Sequence, residues 1–145
     1  MRHRRHPIAL LLIVGSLVPA LSACTQVEES ESTYSPTSVK PVKGTDDIQQ
    51  VTFAAIAARR ADVRTVRVRA SGPLTSIPYA ALIYNEDGDT YTYVSPKPLV
   101  YVREPIDVER IAGDRVLLKH GPPTGTAVVT TGAAEVYSAE FGVEE

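Results

Sequence analysis

The sequence has few of the residues that cross-link or bind metals in small proteins. It contains no tryptophan, one cysteine, one methionine and three histidines among 145 residues. A single cysteine excludes an intramolecular disulfide and any site built from several thiolates. His120 is the one histidine beyond residue 6, so a second imidazole is not available to ligate a metal beside it. We therefore expect no cofactor and no metal site.

Residues 1–23 have the pattern of an export signal. Arg2, Arg4 and Arg5 form a positive start, and the apolar run from Ile8 to Ala20 follows, interrupted by Gly15 and Pro19. This run is about 13 residues long, whereas a membrane-spanning helix needs roughly 20. Small residues follow it, as they do at a cleavage site. The pattern predicts a signal peptide that is removed rather than a permanent membrane helix.

The tetrapeptide Leu21-Ser22-Ala23-Cys24 that ends this segment resembles the lipobox of bacterial lipoproteins. The resemblance implies that the Cys24 thiol is diacylated, with palmitate-type chains, and that the chain is cut between Ala23 and Cys24. Two acyl chains give stable attachment to a membrane. We expect a lipid-anchored protein on the extracytoplasmic face of the cell membrane. The alternative is an ordinary secretory signal that leaves a free thiol on Cys24.

The segment from residue 24 to 46 differs in composition from the rest of the chain. It is rich in Ser, Thr, Glu and Pro and has almost no large apolar side chains, which predicts a disordered tether. The folded domain is then expected over residues 47–145. Three of the 15 basic residues belong to the signal, so the remaining 12 face 17 acidic residues, a net charge of −5. Nucleic acid and anionic lipid are poor partners for such a chain.

The domain sequence indicates several short strands separated by turn residues. It begins with a strand at Val51–Phe53 and a short N-terminal helix at Ala54–Arg60. The spacing of the turns predicts a mostly-β fold, either a small barrel or a sandwich. Further strands are expected at Val63–Ala70, Tyr79–Tyr84, Thr90–Val94, Leu99–Val108, Val116–Lys119 and Thr126–Thr130, with a short helix or turn at Ala133–Phe141.

Several of these segments resemble one protein family. Ile77–Tyr84 with Asn85–Gly88 and Thr90–Val94 is similar to the start of the membrane-proximal domain in periplasmic adaptor subunits of bacterial efflux pumps, also called membrane fusion proteins. Val108–Val116 resembles paired strands of that domain, and Gly121–Gly132 resembles its glycine-rich signature. The resemblance implies an adaptor-like β-domain that binds a membrane permease or transporter.

The chain also departs from that family. Nine residues separate Val68 from Pro78, too few for the coiled-coil hairpin and the lipoyl-like domain of a complete adaptor. We therefore expect a non-catalytic accessory or binding module of an export system, not a full bridge between pump and channel. An envelope structural or ligand-sensing lipoprotein unrelated to transport is the alternative, and an envelope hydrolase is the least favoured.

Side chains that could carry chemistry are sparse. His120 is interpreted as a turn residue, because no Gly-x-Ser-x-Gly or comparable context supports a catalytic base. The acidic run Glu86–Asp89 is too short for an EF-hand loop and is interpreted as a solvated hairpin tip. Five tyrosines either close the edge of the core or line a shallow binding surface, and the core edge is favoured: Tyr79, Tyr84, Tyr91, Tyr93 and Tyr101. We expect no enzyme activity.

Overall fold

A computed structural model describes residues 35–45 and 47–142. The predicted signal peptide, Ala23 and Cys24, and most of the predicted tether lie outside the described residues. Eleven strands, two α-helices and a 3-10 turn at Tyr79–Ala81 are present in the described part. The elements are β1 (Thr37–Pro41), β2 (Gln49–Phe53), α1 (Ala55–Arg60), β3 (Arg64–Arg67), β4 (Arg69–Ser71), β5 (Leu74–Pro78), β6 (Ile83–Tyr84), β7 (Thr90–Lys97), β8 (Val100–Pro105), β9 (Asp107–Ala112), β10 (Arg115–His120), β11 (Ala127–Thr131) and α2 (Ala133–Phe141).

The strands form two antiparallel sheets. The first sheet has the order β1-β2-β8-β7-β11-β3, with β6 pairing with β7. The second sheet has the order β4-β5-β10-β9. Neither sheet closes on itself in the described part of the chain. The mostly-β prediction is confirmed, and the sheets remain open instead of forming a closed barrel.

Apolar side chains cover both faces of the first sheet. One core cluster joins residues of both sheets: Val68, Ile77, Ala81, Val94, Ile106, Val116, Leu118 and Val128. A second cluster packs the other face of the first sheet against the two helices: Val51, Phe53, Ala58, Tyr93, Tyr101, Val129 and Val136. Neighbouring strand residues point to opposite faces, so Val128 enters the first cluster and Val129 the second.

The chain passes from one sheet to the other at two residues that the sequence placed inside continuous strands. Val68 separates β3 from β4, and it exchanges backbone hydrogen bonds with Thr126 and Gly125 at 2.8 and 3.0 Å. Ile106 separates β8 from β9 and donates to Thr90. The prediction of one half-buried strand over Val63–Ala70 is therefore wrong. Val68 is buried, whereas Val66 and Ala70 are exposed, because the chain changes sheets between them.

Other boundaries also differ from the prediction. Strand β1 lies within the segment predicted as a tether, and it pairs with β2 from Thr37↔Phe53 to Pro41↔Gln49. Backbone pairing, rather than apolar burial, accounts for its order, because its side chains are mostly exposed. The predicted strand Tyr79–Tyr84 is a 3-10 turn followed by β6. Its hairpin with β7 is confirmed, since Ile83 pairs with Tyr91.

The helices agree with the sequence-based prediction more closely than the strands do. The expected N-terminal helix is present as α1, and the segment Ala133–Phe141 is helical as α2. Both pack on the first sheet, which supplies most of the stability of such short helices. In the described part of the chain, neither helix has the length and apolarity needed to cross a membrane.

Candidate functional site

The outer face of the first sheet, beneath α2, carries a group of large polar side chains. Tyr93 of β7 and Arg103 of β8 are directly paired across the two strands, so their side chains lie on the same face. Tyr93, Arg103 and Glu140 of α2 are 0, 6 and 2% exposed. A cation and a carboxylate are thus buried together between the sheet and the helix.

Glu140 is the centre of this cluster. Its Oε2 accepts a 2.5 Å hydrogen bond from the Tyr93 hydroxyl, and its Oε1 accepts from Arg103 Nε at 3.2 Å. The backbone N–H of Gln49 also donates to Oε1 at 3.3 Å. A buried carboxylate is tolerated when a cation and several donors surround it. We call Tyr93, Arg103 and Glu140 the buried triad.

Arg103 makes contacts on several sides. Its Nη2 donates to the carbonyl oxygen of Asp47 at 2.9 Å. The guanidinium carbon lies 4.6 Å from the centre of the Tyr91 ring and 5.0 Å from that of Phe141. Rings at these distances attract a cation through their quadrupoles. Arg103 therefore joins β8 to α2 and to the segment before β2.

Burial changes the acidity of the tyrosine in this cluster. Loss of solvation raises the pKa of Tyr93, and the hydrogen bond to Glu140 and the negative charge of that residue raise the pKa further. The phenol therefore keeps its proton and remains the donor to Glu140. The hydrogen bond from Tyr93 to Glu140 thus helps to fix the position of α2 on the sheet.

An open cleft of about 810 Å³ lies beside the buried triad. Arg103 contributes to it, together with the rings of Tyr91, Tyr137 and Phe141. Carboxylates occupy other parts of its wall: Asp47, Glu86, Asp87 and Asp89. Glu140 offsets the charge of Arg103, so the cleft is acidic overall and suits polar or cationic ligands better than anions.

The tyrosines singled out from the sequence fall into separate environments. Tyr93 and Tyr101 are buried in the core, and the Tyr93 hydroxyl contacts buried Glu140 instead of solvent, so Tyr93 lies inside the core and not at its edge. Tyr91 is half-buried and lines the cleft. Tyr79 and Tyr84 are exposed by about half of their surface. The five rings therefore do not form one binding surface.

His120 and the acidic turn occupy exposed positions. The Nδ1 atom of His120 lies 3.2 Å from Asp107 Oδ2, and both side chains are largely exposed. In the turn, the Asp89 N–H donates to Asn85 Oδ1 at 2.7 Å and Gly88 has a φ of +88°. These contacts describe a solvated hairpin tip. Among residues 35–45 and 47–142, no three His, Cys, Asp or Glu side chains converge as metal ligands would.

Arg103 and Glu140 were not identified from the sequence. Glu140 follows Val136 by four residues, so the two share one helix face, and Val136 is fully buried. A carboxylate on the apolar face of a short helix is the signal that could have indicated a buried partner of opposite charge. Which of the 15 basic residues supplies that charge depends on how the strands are ordered in the sheet.

Comparisons with known proteins do not assign the chain to a protein family. No protein-family model, curated protein or solved structure matches it.

Proposed function

We propose that this chain is a lipid-anchored protein of the extracytoplasmic membrane face, and that its β-domain is a non-catalytic, adaptor-like binding module of an export system. The observation that carries the proposal is the N-terminal sequence: an arginine-rich start, a short apolar run and Leu21-Ser22-Ala23-Cys24. A lipid on Cys24 would hold the domain close to a membrane permease or transporter, which is the expected partner.

The adaptor resemblance supports the architectural part of the proposal. Its glycines lie in turns of the β-domain, where Gly88, Gly113 and Gly125 have positive φ angles. Such positions define hairpins and loops and not an active site, so a shared pattern of this kind bears on fold more than on activity. The binding role must then come from the surfaces that these hairpins present.

The positions and partners of the charged side chains support a binding role over catalysis. Arg103 and Glu140 neutralise each other in the buried triad and hold α2 on the sheet. His120 is exposed and contacts Asp107. A general base near neutral pH works best in a desolvated position beside a nucleophile or substrate. An exposed His–Asp pair on a strand end fits a solvated surface better.

In vivo crosslinking tests the proposal. The tagged full chain would be crosslinked in its own membrane, purified in mild detergent, and its partners identified by mass spectrometry. We expect a permease or a transporter ATPase at near-stoichiometric yield. Recovery of the lipoprotein alone, or with cell-wall components only, would remove the export role.

The cleft beside the buried triad favours one alternative, a ligand-sensing envelope lipoprotein unrelated to transport. Its aromatic and acidic walls offer stacking and charge to a small polar compound. Deletion of the gene separates the two roles. Altered export or drug tolerance supports the adaptor-like role, whereas unchanged export with an altered envelope response supports sensing. A hydrolase remains the least favoured role, and His120→Ala should leave function intact.

A further inference from the structure

The cleft beside the buried triad is bounded by three separate parts of the fold. The turn between β6 and β7 contributes Glu86 and Asp87, and the segment before β2 contributes Asp47. Helix α2 contributes the rings of Tyr137 and Phe141. The volume of about 810 Å³ lies in the range of cavities that hold small organic molecules. A ligand of that size can contact more than one of these walls.

The carboxylates of the cleft are not neutralised by basic neighbours. Four take part in no ion pair within the described ranges: Asp47, Glu86, Asp87 and Asp89. Among the described residues of the wall, Arg103 is the one basic side chain, and Glu140 offsets its charge. The C-terminal end of α2 also borders the cleft at Phe141, and no basic residue lies in its last turn. The negative end of the helix dipole therefore adds to the attraction for a cation.

The aromatic wall of the cleft favours an organic cation over a metal ion. The ring centres of Tyr137 and Phe141 are 4.5 Å apart, and 46% of the surface of Phe141 is exposed. An ammonium or guanidinium group over such rings is attracted by their quadrupoles. In the part of the chain that the structure describes, no three acidic side chains converge as metal ligands would. The walls therefore suit a positive group carried on a carbon skeleton.

Arg103 adds a hydrogen-bond donor to the wall of the cleft. Its side chain is 6% exposed, and its Nε and Nη2 donate to Glu140 and to the carbonyl oxygen of Asp47. The third guanidinium nitrogen, Nη1, has no acceptor among residues 35–45 and 47–142. A buried donor without an acceptor is costly, so an oxygen atom of a ligand would be favoured there. A neutral oxygen fits better than a carboxylate, because the wall already carries unpaired negative charges.

We propose that the cleft binds a small organic cation that also carries a neutral carbonyl or hydroxyl oxygen. The ammonium or guanidinium group of the ligand faces the carboxylates of Asp47 and the β6–β7 turn and contacts the rings of α2. The oxygen of the ligand accepts a hydrogen bond from Arg103 Nη1. The cleft thus selects against anions by charge and against simple amines by the unmade hydrogen bond. This inference does not rest on the export role.

Isothermal titration calorimetry of the full chain in mild detergent tests the proposal. The first probe is argininamide, which carries two positive groups and a neutral carbonyl, and we expect saturable binding that weakens with salt. Agmatine has the same positive groups without the carbonyl. It should bind about tenfold more weakly, because Arg103 Nη1 loses its acceptor. Citrullinamide lacks the guanidinium charge and should bind about fivefold more weakly.

Variants locate the binding site. Asp47→Asn combined with Asp87→Asn should weaken binding of argininamide by about tenfold, since it removes one carboxylate from each of two walls. Both side chains are exposed, so the thermal midpoint should stay unchanged. Glu109→Gln combined with Asp114→Asn is the matched control, because it removes two exposed carboxylates from β9 and the turn after it. That control should change binding by less than about twofold.

Several results would overturn the proposal. Equal binding of agmatine and argininamide would show charge attraction without the hydrogen bond from Arg103. Tighter binding of arginine than of argininamide would show that the cleft prefers a carboxylate to a neutral oxygen. Unchanged binding by the Asp47→Asn, Asp87→Asn variant would place the ligand elsewhere. Absence of saturable binding for argininamide, at concentrations up to the millimolar range, would remove the site altogether.

Discussion

Glu140 lies near the C-terminal end of α2, where the helix dipole favours a cation over a carboxylate. Its burial is tolerated because Arg103 supplies a positive charge and three donors reach its oxygens. Such a pair adds little net stability compared with apolar side chains of similar size. Loss of one partner is far more damaging, because the other charge is then buried alone.

The first prediction follows from this asymmetry. Glu140→Leu should lower the free energy of unfolding by about 3 to 5 kcal/mol, since it leaves the Arg103 guanidinium buried without its carboxylate. Adding Arg103→Leu to that variant should restore part of the loss. Urea unfolding followed by circular dichroism measures both.

Glu86→Leu is the matched control for that experiment. Glu86 is exposed in the hairpin turn, so the same substitution there should change the free energy of unfolding by no more than about 0.5 kcal/mol. If Glu140→Leu is as stable as Glu86→Leu, the buried triad does not hold α2 on the sheet.

Tyr93 gives the second prediction. Its pKa in the folded protein is raised above the ordinary value of 10.0, mainly by loss of solvation. The folded state therefore retains a proton that the unfolded state releases, so the contribution of Tyr93 to stability should be fully present below about pH 10 and be lost as the pH rises above it. In Tyr93→Phe the loss of stability at alkaline pH should be smaller. Identical alkaline profiles for the two proteins would contradict this assignment.

At the scale of elements, the junction between β11 and α2 has little room. Gly132 has a φ of +74°, and an added Cβ would lie 2.8 Å from the carbonyl oxygen of Ala61 and 2.9 Å from Val63 Cγ2. The carbonyl belongs to the chain that leaves α1. Gly132 therefore allows the start of α2 and the end of α1 to approach each other on the same face of the sheet.

Gly132→Ala should lower the free energy of unfolding by roughly 2 to 4 kcal/mol, through backbone strain and the steric clash together. Gly88→Ala separates the two effects, because Gly88 has a φ of +88° but an added Cβ there meets nothing within 4 Å. That control should lose about 1 kcal/mol. Equal losses in the two variants, measured by urea unfolding, would show that the contact with Ala61 is relieved by a small shift.

At the scale of the whole molecule, we propose that a lipid on Cys24 holds the domain at the membrane. Cys24→Ala should abolish incorporation of labelled palmitate and move the protein from the membrane fraction to the soluble exported fraction. The matched variant Ser22→Ala keeps a small residue before the cleavage site and should remain membrane-bound. If Cys24→Ala stays in the membrane fraction after a high-salt wash, the anchor is not this lipid.

Local signals in the sequence identified several elements of the fold. The alanine-rich run before Arg60 indicated α1, and Asn85–Asp89 with flanking apolar residues indicated the β6–β7 hairpin. These features depend on neighbours in the chain, because helix propensity and turn chemistry act over a few residues. The strand assignment failed at Val68, which no turn residue marks, and at Ile106, where the preceding Pro105 was a local signal that the prediction did not use.

The candidate site likewise combines features that local sequence patterns indicate with features that they do not. The tyrosines of β7 were visible as an alternating pattern, but the pattern does not show that Tyr93 is buried while Tyr84 is exposed. The partners of Glu140 come from β2, β7 and β8, up to 91 positions away in the chain. Pairing over such separations depends on sheet order, which local patterns do not contain.

The sequence by itself determined the mostly-β character, the short helix α1 and the β6–β7 hairpin, because each is encoded by residues close together in the chain. Lipid attachment at Cys24 is likewise a prediction from neighbouring residues. The tertiary structure decided which strand joins which sheet and the burial of Arg103 with Glu140. These depend on contacts between distant segments, where burial and charge pairing outweigh local preference.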